Sequence, residues 1–321
     1  MKPHPVLLVP GIMGCELLLQ NYRVWPSPAV LLNPAYFIPW VPLNPGAPLD
    51  IYRPLLDFIR RKGYGPDDLF VFQYDWRSGI GSAAKALAAF VDDVVRPRSG
   101  GQIIIIAHSL GCLVARFALN QGLLQPIKVQ RMVGAGPPML GSALAFKAVV
   151  EMPEISDKLD RIYRLLKLVW PSGAAAVQST ICKTLMTMRS LLEIMPPDSV
   201  KFLHWDGMDH SCFEWPGWPD SLKTLYADVS MTQNDLLPWV DAHLPRKLVL
   251  SKEWPTEVGY RIDQQPPYEI QASLPAIAGD GRVAVESAEE FGSDEPELFV
   301  ASKHDELLND SATRAYLDTI L

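Results

Sequence analysis

Residues Gln102–Phe117 read QIIIIAHSLGCLVARF. Ile103 to Ile106 form a β-branched run with no polar alternation, the pattern of a strand buried on both faces of a parallel sheet. After Ala107-His108-Ser109-Leu110-Gly111 the apolar period turns helical, with Leu113, Val114 and Phe117 on one side. Strand, tight turn and helix in succession are the frame that a nucleophile elbow requires, with the serine hydroxyl lifted above the sheet edge. The following helix offers free N–H groups and a positive dipole end behind that serine. Small residues at 107 and 111 let the two backbones approach, although Ala107 replaces the first glycine of G-x-S-x-G. The bland alternative is an ordinary serine in a βα turn; the strand–turn–helix frame favours the nucleophile.

The bulk properties bound the setting. A chain of 321 residues with 48% hydrophobic content can bury a sizeable core in one large α/β domain or two smaller ones. A net charge of -7 without any block of like charge argues against a nucleic-acid partner. Cys15, Cys112, Cys182 and Cys212 match neither a zinc nor a C-x-x-C spacing, and are too few for a disulfide scaffold. Met1 to Pro5 shows no signal-peptide pattern, and no uncharged, proline-free apolar run is long enough to span a bilayer. The expected location is cytoplasmic, with reduced thiols.

Taken in order, Val6 to Val9 is a buried strand, followed by the turn Pro10-Gly11-Ile12-Met13-Gly14. Its two glycines allow amides to point into a site. Val24 to Leu49 carries seven prolines, Trp25, Tyr36, Phe37 and Trp40, and no charge. Proline at that density rules out a helix or central strand, leaving an irregular excursion that is either packed on the core or a lipid-facing flap. A helix is expected over Asp50–Lys62, a strand over Leu69–Tyr74, a helix over Gly79–Val95, and a strand over Val129–Gly134. This β-α-β-α-β order is that of a doubly wound, mostly parallel sheet, with its site at the strand C-termini.

From Met139 to about Leu244 the rhythm breaks into helical segments, a basic amphipathic one over Lys158–Trp170 and another over Thr180–Ile194, which reads as a helical cap. His204, Asp206, Asp209 and His210 resemble metal ligands in type but not in spacing, so no metal and no cofactor is expected. The core resumes with strands over Lys247–Leu250 and Leu298–Ala301 and a last helix over Asp310–Ile320. The expected division is a first core part, 1–138, with a candidate flap at 24–49; a cap, 139–244; and a second core part, 245–321.

Ser109, Asp280 and His304 fall in the order Ser…Asp…His, that of the α/β-hydrolases, each at or near the end of an expected strand. A serine hydroxyl needs an adjacent base; His304 takes its proton, and Asp280, between Gly279 and Gly281, orients the imidazole. Ile12 and Leu110 are the backbone donors placed to hold an oxyanion. Asp263, Asp294 and Asp305 are rival acids. His108 reads as a buried, hydrogen-bonded histidine rather than a base, since its ring points away from Ser109.

The chain resembles the lecithin:cholesterol acyltransferase-like branch of the α/β-hydrolases, which includes phospholipases A and lipases. The resemblance rests on PVLLVPGIMGCEL from Pro5, YDWR from Tyr74, IAHSLGCLVAR from Ile106, PPMLGSA from Pro137, GDGRVAVESA from Gly279, and His304 with Leu307. It implies Ser109, Asp280 and His304 as the triad, Ile12 and Leu110 as the oxyanion pair, the Trp25 region as lid, and the stretch after Leu140 as a lipid-binding cap. It departs from the pattern at Cys112, where a second glycine often follows the elbow, and at Arg282, where threonine is common. The expected function is serine-dependent acyl hydrolysis or transfer on a lipid ester, with peripheral membrane contact through Trp25, Tyr36, Phe37 or Trp40. The alternatives are a small-ester carboxylesterase or thioesterase, and a non-catalytic binding protein of the same fold.

Overall fold

The isoleucine run lies at the centre of a six-stranded sheet. The computed structural model describes residues 4–27, 33–151, 167–169, 171–236, 239 and 243–321, with the backbone alone at Pro34, Phe37 and Pro171. The strands are β1 (Val6–Val9), β2 (Leu69–Val71), β3 (Gln102–His108), β4 (Lys128–Ala135), β5 (Arg246–Ser251) and β6 (Leu298–Val300), in the spatial order β6-β5-β4-β3-β1-β2. Every pairing is parallel. Ile105 stands opposite Leu7 on one side and Met132 on the other.

Period-two geometry sends the isoleucines to both faces. Ile103 and Ile105 join a cluster with Leu87 and Leu113, from the helices Ile80–Phe90 and Leu110–Asn120. Ile104 and Ile106 join the opposite cluster with Leu55, Ile59 and Leu317, from the helices Arg53–Arg61 and Ser311–Ile320. Each isoleucine so buried contributes about 2 kcal/mol relative to exposure. Unbroken apolar character is thus the signature of a strand covered by helices on both sides.

The strand order fixes where a site belongs. The chain leaves β1 for the edge strand β2, then crosses back to β3 on the other side of β1 and continues outward to β6. That reversal opens a crevice beyond the carboxyl ends of β1 and β3. The loop after β1 and the turn after β3 meet there: a Cβ on Gly11 would stand 2.9 Å from the Ser109 Cβ.

Several elements differ from expectation. The helix expected over Gly79–Val95 is α-helical over Ile80–Phe90, widens to a π-helical turn at Val91–Val95, and resumes over Arg96–Ser99. Pro97 has no N–H to bond backward, so it sits near the start of the new turn. The proline-rich excursion is not wholly irregular: Cys15–Leu19 pairs antiparallel with both Tyr22–Trp25 and Asn44–Pro48. Pro45 and Pro48 are accommodated because Asn44–Pro48 is an edge strand.

The long connection from β4 to β5 contains the helices Ala143–Val150, Pro171–Leu185, Arg189–Glu193 and Lys223–Leu236. The helix expected over Thr180–Ile194 is broken between Leu185 and Arg189. The amphipathic segment at Lys158–Trp170 lies outside the described residues except 167–169, which are helical. This connection is not helical throughout. Leu203–Trp205 and Met208–His210 form a hairpin that joins Tyr260–Ile262 and Ile270–Ser273 in a four-stranded sheet. Tyr260–Ile262 and Ile270–Ser273, which follow β5, therefore pair with the connection rather than with the main sheet.

Candidate active site

Ser109 terminates β3 with φ 52° and ψ -126°, a conformation that residues bearing a Cβ rarely adopt. Such strain costs about 1–3 kcal/mol and persists only where the surroundings impose it. Here the Ser109 N–H donates to the Ala135 carbonyl at 2.9 Å, and the Ser109 carbonyl accepts from Cys112 N–H at 2.9 Å. Gly111 lets the new helix press against the first strand: a Cβ there would lie 2.2 Å from the Val9 carbonyl oxygen and 2.5 Å from that of Pro10. Leu110 is the first residue of the helix, so its N–H has no intrahelical acceptor.

The facing loop is pinned carbonyl by carbonyl. Pro10 accepts from the Tyr74 hydroxyl at 2.9 Å, Met13 from the Trp25 indole at 3.0 Å, and Cys15 from the Trp76 indole at 2.9 Å. The Gly11 carbonyl accepts from Gly14 N–H at 3.1 Å. A trans peptide carries its C=O and N–H on opposite sides, so this bond turns the Ile12 N–H the other way.

Asp280 follows the strand Ile277–Gly279, and His304 opens a 3₁₀ turn after β6. His304 Nδ1 lies 2.7 Å from Asp280 Oδ2, and the His304 backbone N–H donates to the Asp280 carbonyl at 3.0 Å. The other carboxylate oxygen accepts from the N–H groups of Arg282 at 2.9 Å and Val283 at 2.8 Å. Burial pushes the Asp280 carboxyl up. The His304 charge, its hydrogen bond and the two amides together outweigh that and hold the carboxyl below its ordinary value. Nδ1 therefore carries the proton, and Nε2 is left with the lone pair.

The two halves share a boundary. Ala135 holds the Ser109 amide, and the next residue, Gly136, has φ +56° with a would-be Cβ 2.9 Å from His304 Nδ1 and 3.0 Å from Asp280 Oδ2. Any side chain at 136 would collide with the Asp280–His304 pair. The Gly136-Pro137-Pro138 run just past β4 was the sequence signal available for this position. Ser109, Asp280 and His304 are each about 95% buried or more.

The rival acids are engaged elsewhere. Asp294 pairs with Arg246 at 2.7 Å and Asp305 with Arg282 at 3.0 Å, while Asp263 accepts from Gln271. His204 bonds Asp209 at 2.9 Å and His210 bonds Asp206 at 3.1 Å across their hairpin. Among the described residues no three or more histidine, cysteine or acidic groups gather as a metal site.

The flap residues part company. Trp25 is 3% exposed and stacks edge-on against Trp76, so its place is in the core beneath the first loop and not on a lipid-facing surface. Trp40 is 72% exposed. The Phe37 side chain lies outside the described residues. Arg77, fully buried, donates to the carbonyls of Tyr36 at 2.6 Å, Ile38 at 3.0 Å and Val41 at 2.9 Å, and to both oxygens of Asp75. Asp75 and Arg77 form an ion pair at 2.6 Å, and the arginine also anchors the turn that carries Trp40.

A parallel sheet in this order, with a strained serine turn at its reversal and an Asp–His pair beside it, is an α/β-hydrolase fold. A chain in the crystal structure of the Tle4–Tli4 complex has the same fold, with a TM-score of 0.65 at 14% identity over 100% of this chain and 98% of that one. The mature Bacillus licheniformis lipase BlEst2 matches with a TM-score of 0.46 at 11% identity over 99% of this chain and 92% of that one. No curated protein sequence matches the chain. The profile of the lecithin:cholesterol acyltransferase family matches residues 45–266, and the chain belongs to that family. At the level of the family it is an ester-acting enzyme of the acyl hydrolase and acyltransferase kind. The matched span contains Ser109 and stops before Asp280 and His304, whose pairing is seen in the structure and lies outside the family match.

Proposed function

We propose that the chain is a serine-dependent lipid-ester acyl hydrolase or O-acyltransferase. The observation that carries the reading is the buried Asp280–His304 pair, bonded at 2.7 Å at the same sheet edge as the strained Ser109 turn. Ser109 Oγ attacks the ester carbonyl while His304 Nε2 takes the hydroxyl proton. The resulting oxyanion accepts from the N–H groups of Ile12 and Leu110, each worth about 3–4 kcal/mol in such sites. Collapse expels the alcohol, which takes the proton from His304, and leaves an acyl-Ser109. Water or an acceptor alcohol then repeats the cycle. Asp280 keeps the proton on Nδ1 and stabilises the imidazolium.

The connection between β4 and β5 serves in this reading as a cap over the acyl chain, and the Trp40 turn as the point of membrane contact. Aromatic rings partition to the boundary between headgroups and acyl chains, and Trp40, 72% exposed, is the most exposed aromatic among the described side chains of its segment. Among the described residues no helix is long and apolar enough to cross a membrane.

The test is intact mass after incubation with phospholipid vesicles, and separately with p-nitrophenyl esters of increasing chain length, with products identified. A transient acyl adduct on Ser109 and release of fatty acid or an acylated alcohol are expected. Turnover of acetate and butyrate esters alone, with long chains and phospholipids refused, would move the assignment to a small-ester esterase. No adduct and no turnover of any ester would leave a binding protein.

A further inference from the structure

Tyr52 and His108 are buried polar residues that the mechanism above does not use. Tyr52 is 2% exposed at the start of the helix Arg53–Arg61, and His108 is 4% exposed at the end of β3. Gly11 N–H lies 2.9 Å from the Tyr52 hydroxyl oxygen, which lies 2.9 Å from His108 Nδ1. His108 Nε2 lies 2.9 Å from the carbonyl oxygen of His304.

The direction of every proton in this chain is forced. An amide only donates and a carbonyl only accepts. His108 Nε2 therefore carries a proton for the His304 carbonyl, and its Nδ1 is an acceptor. The Tyr52 oxygen accepts from Gly11, and its one proton goes to Nδ1. The phenol stays protonated because burial pushes its pKa well up, and the imidazole stays neutral because burial, then the His304 charge, lowers it. No alternative arrangement satisfies all four groups.

The ends of this hydrogen-bonded chain are two loop segments that take part in the proposed catalytic step, the turn after β1 and the turn at His304. At one end the bond fixes the amide immediately before the Gly11–Ile12 peptide, whose N–H is the proposed oxyanion donor. At the other it fixes the backbone of the base. His304 is then held at three points, its N–H and Nδ1 by Asp280 and its carbonyl by His108. A further tie brings the same segments together: Asn309, five residues beyond His304, donates through Nδ2 to the Ile51 carbonyl at 2.6 Å.

We infer that Tyr52 and His108 are positioning residues that lock the oxyanion loop and the base into one hydrogen-bonded unit, so that the distance between them is set before substrate arrives. This rests on the proposed serine mechanism. Neither side chain touches substrate, so their loss alters the transition state more than the ground state.

The test compares Tyr52→Phe, His108→Leu and His108→Gln with the wild type on p-nitrophenyl butyrate, with active sites titrated by a fluorophosphonate. Tyr52→Phe and His108→Leu are expected to lower kcat per titrated site by about 10–10²-fold with KM within about twofold, the scale of a small misplacement of catalytic groups. His108→Gln is expected to stay within about threefold, because a glutamine amide can donate to His304 and accept from Tyr52. A merely structural role would lower the titratable fraction or the melting temperature and leave kcat per site unchanged, which overturns the inference. So does a His108→Gln variant as impaired as His108→Leu. If His108→Leu does not fold, Tyr52→Phe against His108→Gln decides. A wild type that neither labels at Ser109 nor turns over ester overturns the parent reading instead.

Discussion

A Cβ placed on Gly111 would stand 2.2 Å from the carbonyl oxygen of Val9. The contact is backbone against backbone, between the helix that follows the nucleophile turn and the strand that precedes its facing loop. Neither partner can move without shifting a hydrogen-bonded element. Gly111→Ala is therefore expected to destabilise by at least the 1–3 kcal/mol or so of an overpacked core and to separate the loop from Ser109. Thermal unfolding and fluorophosphonate labelling read the two effects; an unchanged melting temperature would show that helix and strand are not so closely packed.

Ser109→Ala is expected to abolish fluorophosphonate labelling with the fold intact. His304→Ala and Asp280→Asn are expected to lower kcat by about 10⁴-fold, as loss of the base or of its tautomer predicts. Asp294→Asn should act differently: it loosens the ion pair to Arg246 and so lowers stability while sparing kcat. If Asp294→Asn produced the larger loss of kcat, the acid would have to be reassigned.

The pH dependence of stability follows from two buried groups near the site. The Asp280 carboxyl is held below its ordinary 3.8, so the stability it contributes is present above that value and is lost as pH falls through the folded-state value. His108 is lowered from 6.5 to about 4, chiefly by burial. The unfolded chain therefore takes up this proton first, and stability declines by up to about 1.4 kcal/mol per pH unit between about 6.5 and 4. Urea unfolding of wild type and His108→Gln across that window is expected to show a shallower decline in the variant. Parallel curves would exclude His108 as the source.

Arg77 uses all five of its N–H donors, two on Asp75 and three on the carbonyls of Tyr36, Ile38 and Val41. An ammonium cannot reproduce that planar fork. Arg77→Lys is expected to cost about 3–5 kcal/mol, the scale of a broken buried ion pair, and to loosen the Trp40 turn. Equilibrium unfolding measures the first effect and limited proteolysis at residues 36–41 the second. Wild-type resistance in the variant would mean the turn is held by packing alone.

Trp40→Ser is expected to reduce binding to phospholipid vesicles and turnover of aggregated long-chain substrate, and to leave hydrolysis of a soluble butyrate ester nearly unchanged. Equal losses on both substrates would make the turn part of the folded core. No loss on either would remove it from the membrane reading.

What the sequence disclosed and what it withheld divide by range. The strand, turn and helix around Ser109 are contiguous, and the isoleucine run carries its own two-sided burial, so both were legible. The Asp280–His304 contact was legible in part: His304 stands just past an apolar run that had to be a strand, whereas Asp280 stood out by its flanking glycines and its place in the Ser…Asp…His order. Tyr52 was not: a tyrosine at helical spacing with Leu55 and Leu56 looks like core, and its partners are a backbone amide and a residue 56 positions away. Arg77 gave away its carboxylate partner two residues off, but carbonyl acceptors leave no trace in a sequence. The small sheet of Leu203–His210 with Tyr260–Ser273 has strands of three or four residues, too short for any period to show.

In the proposed mechanism the placement of His304 just after the last strand of the sheet also governs when chemistry begins. β1 and β3, with the serine turn and its facing loop, are made by about residue 111 of 321, whereas Asp280 and His304 emerge from the ribosome near the end of the chain. A nascent chain that folds its early strands first therefore owns a hydroxyl without a base. In the proposed mechanism turnover starts only when β6 docks on β5, because a chain that ends before that strand carries Ser109 and Asp280 without His304.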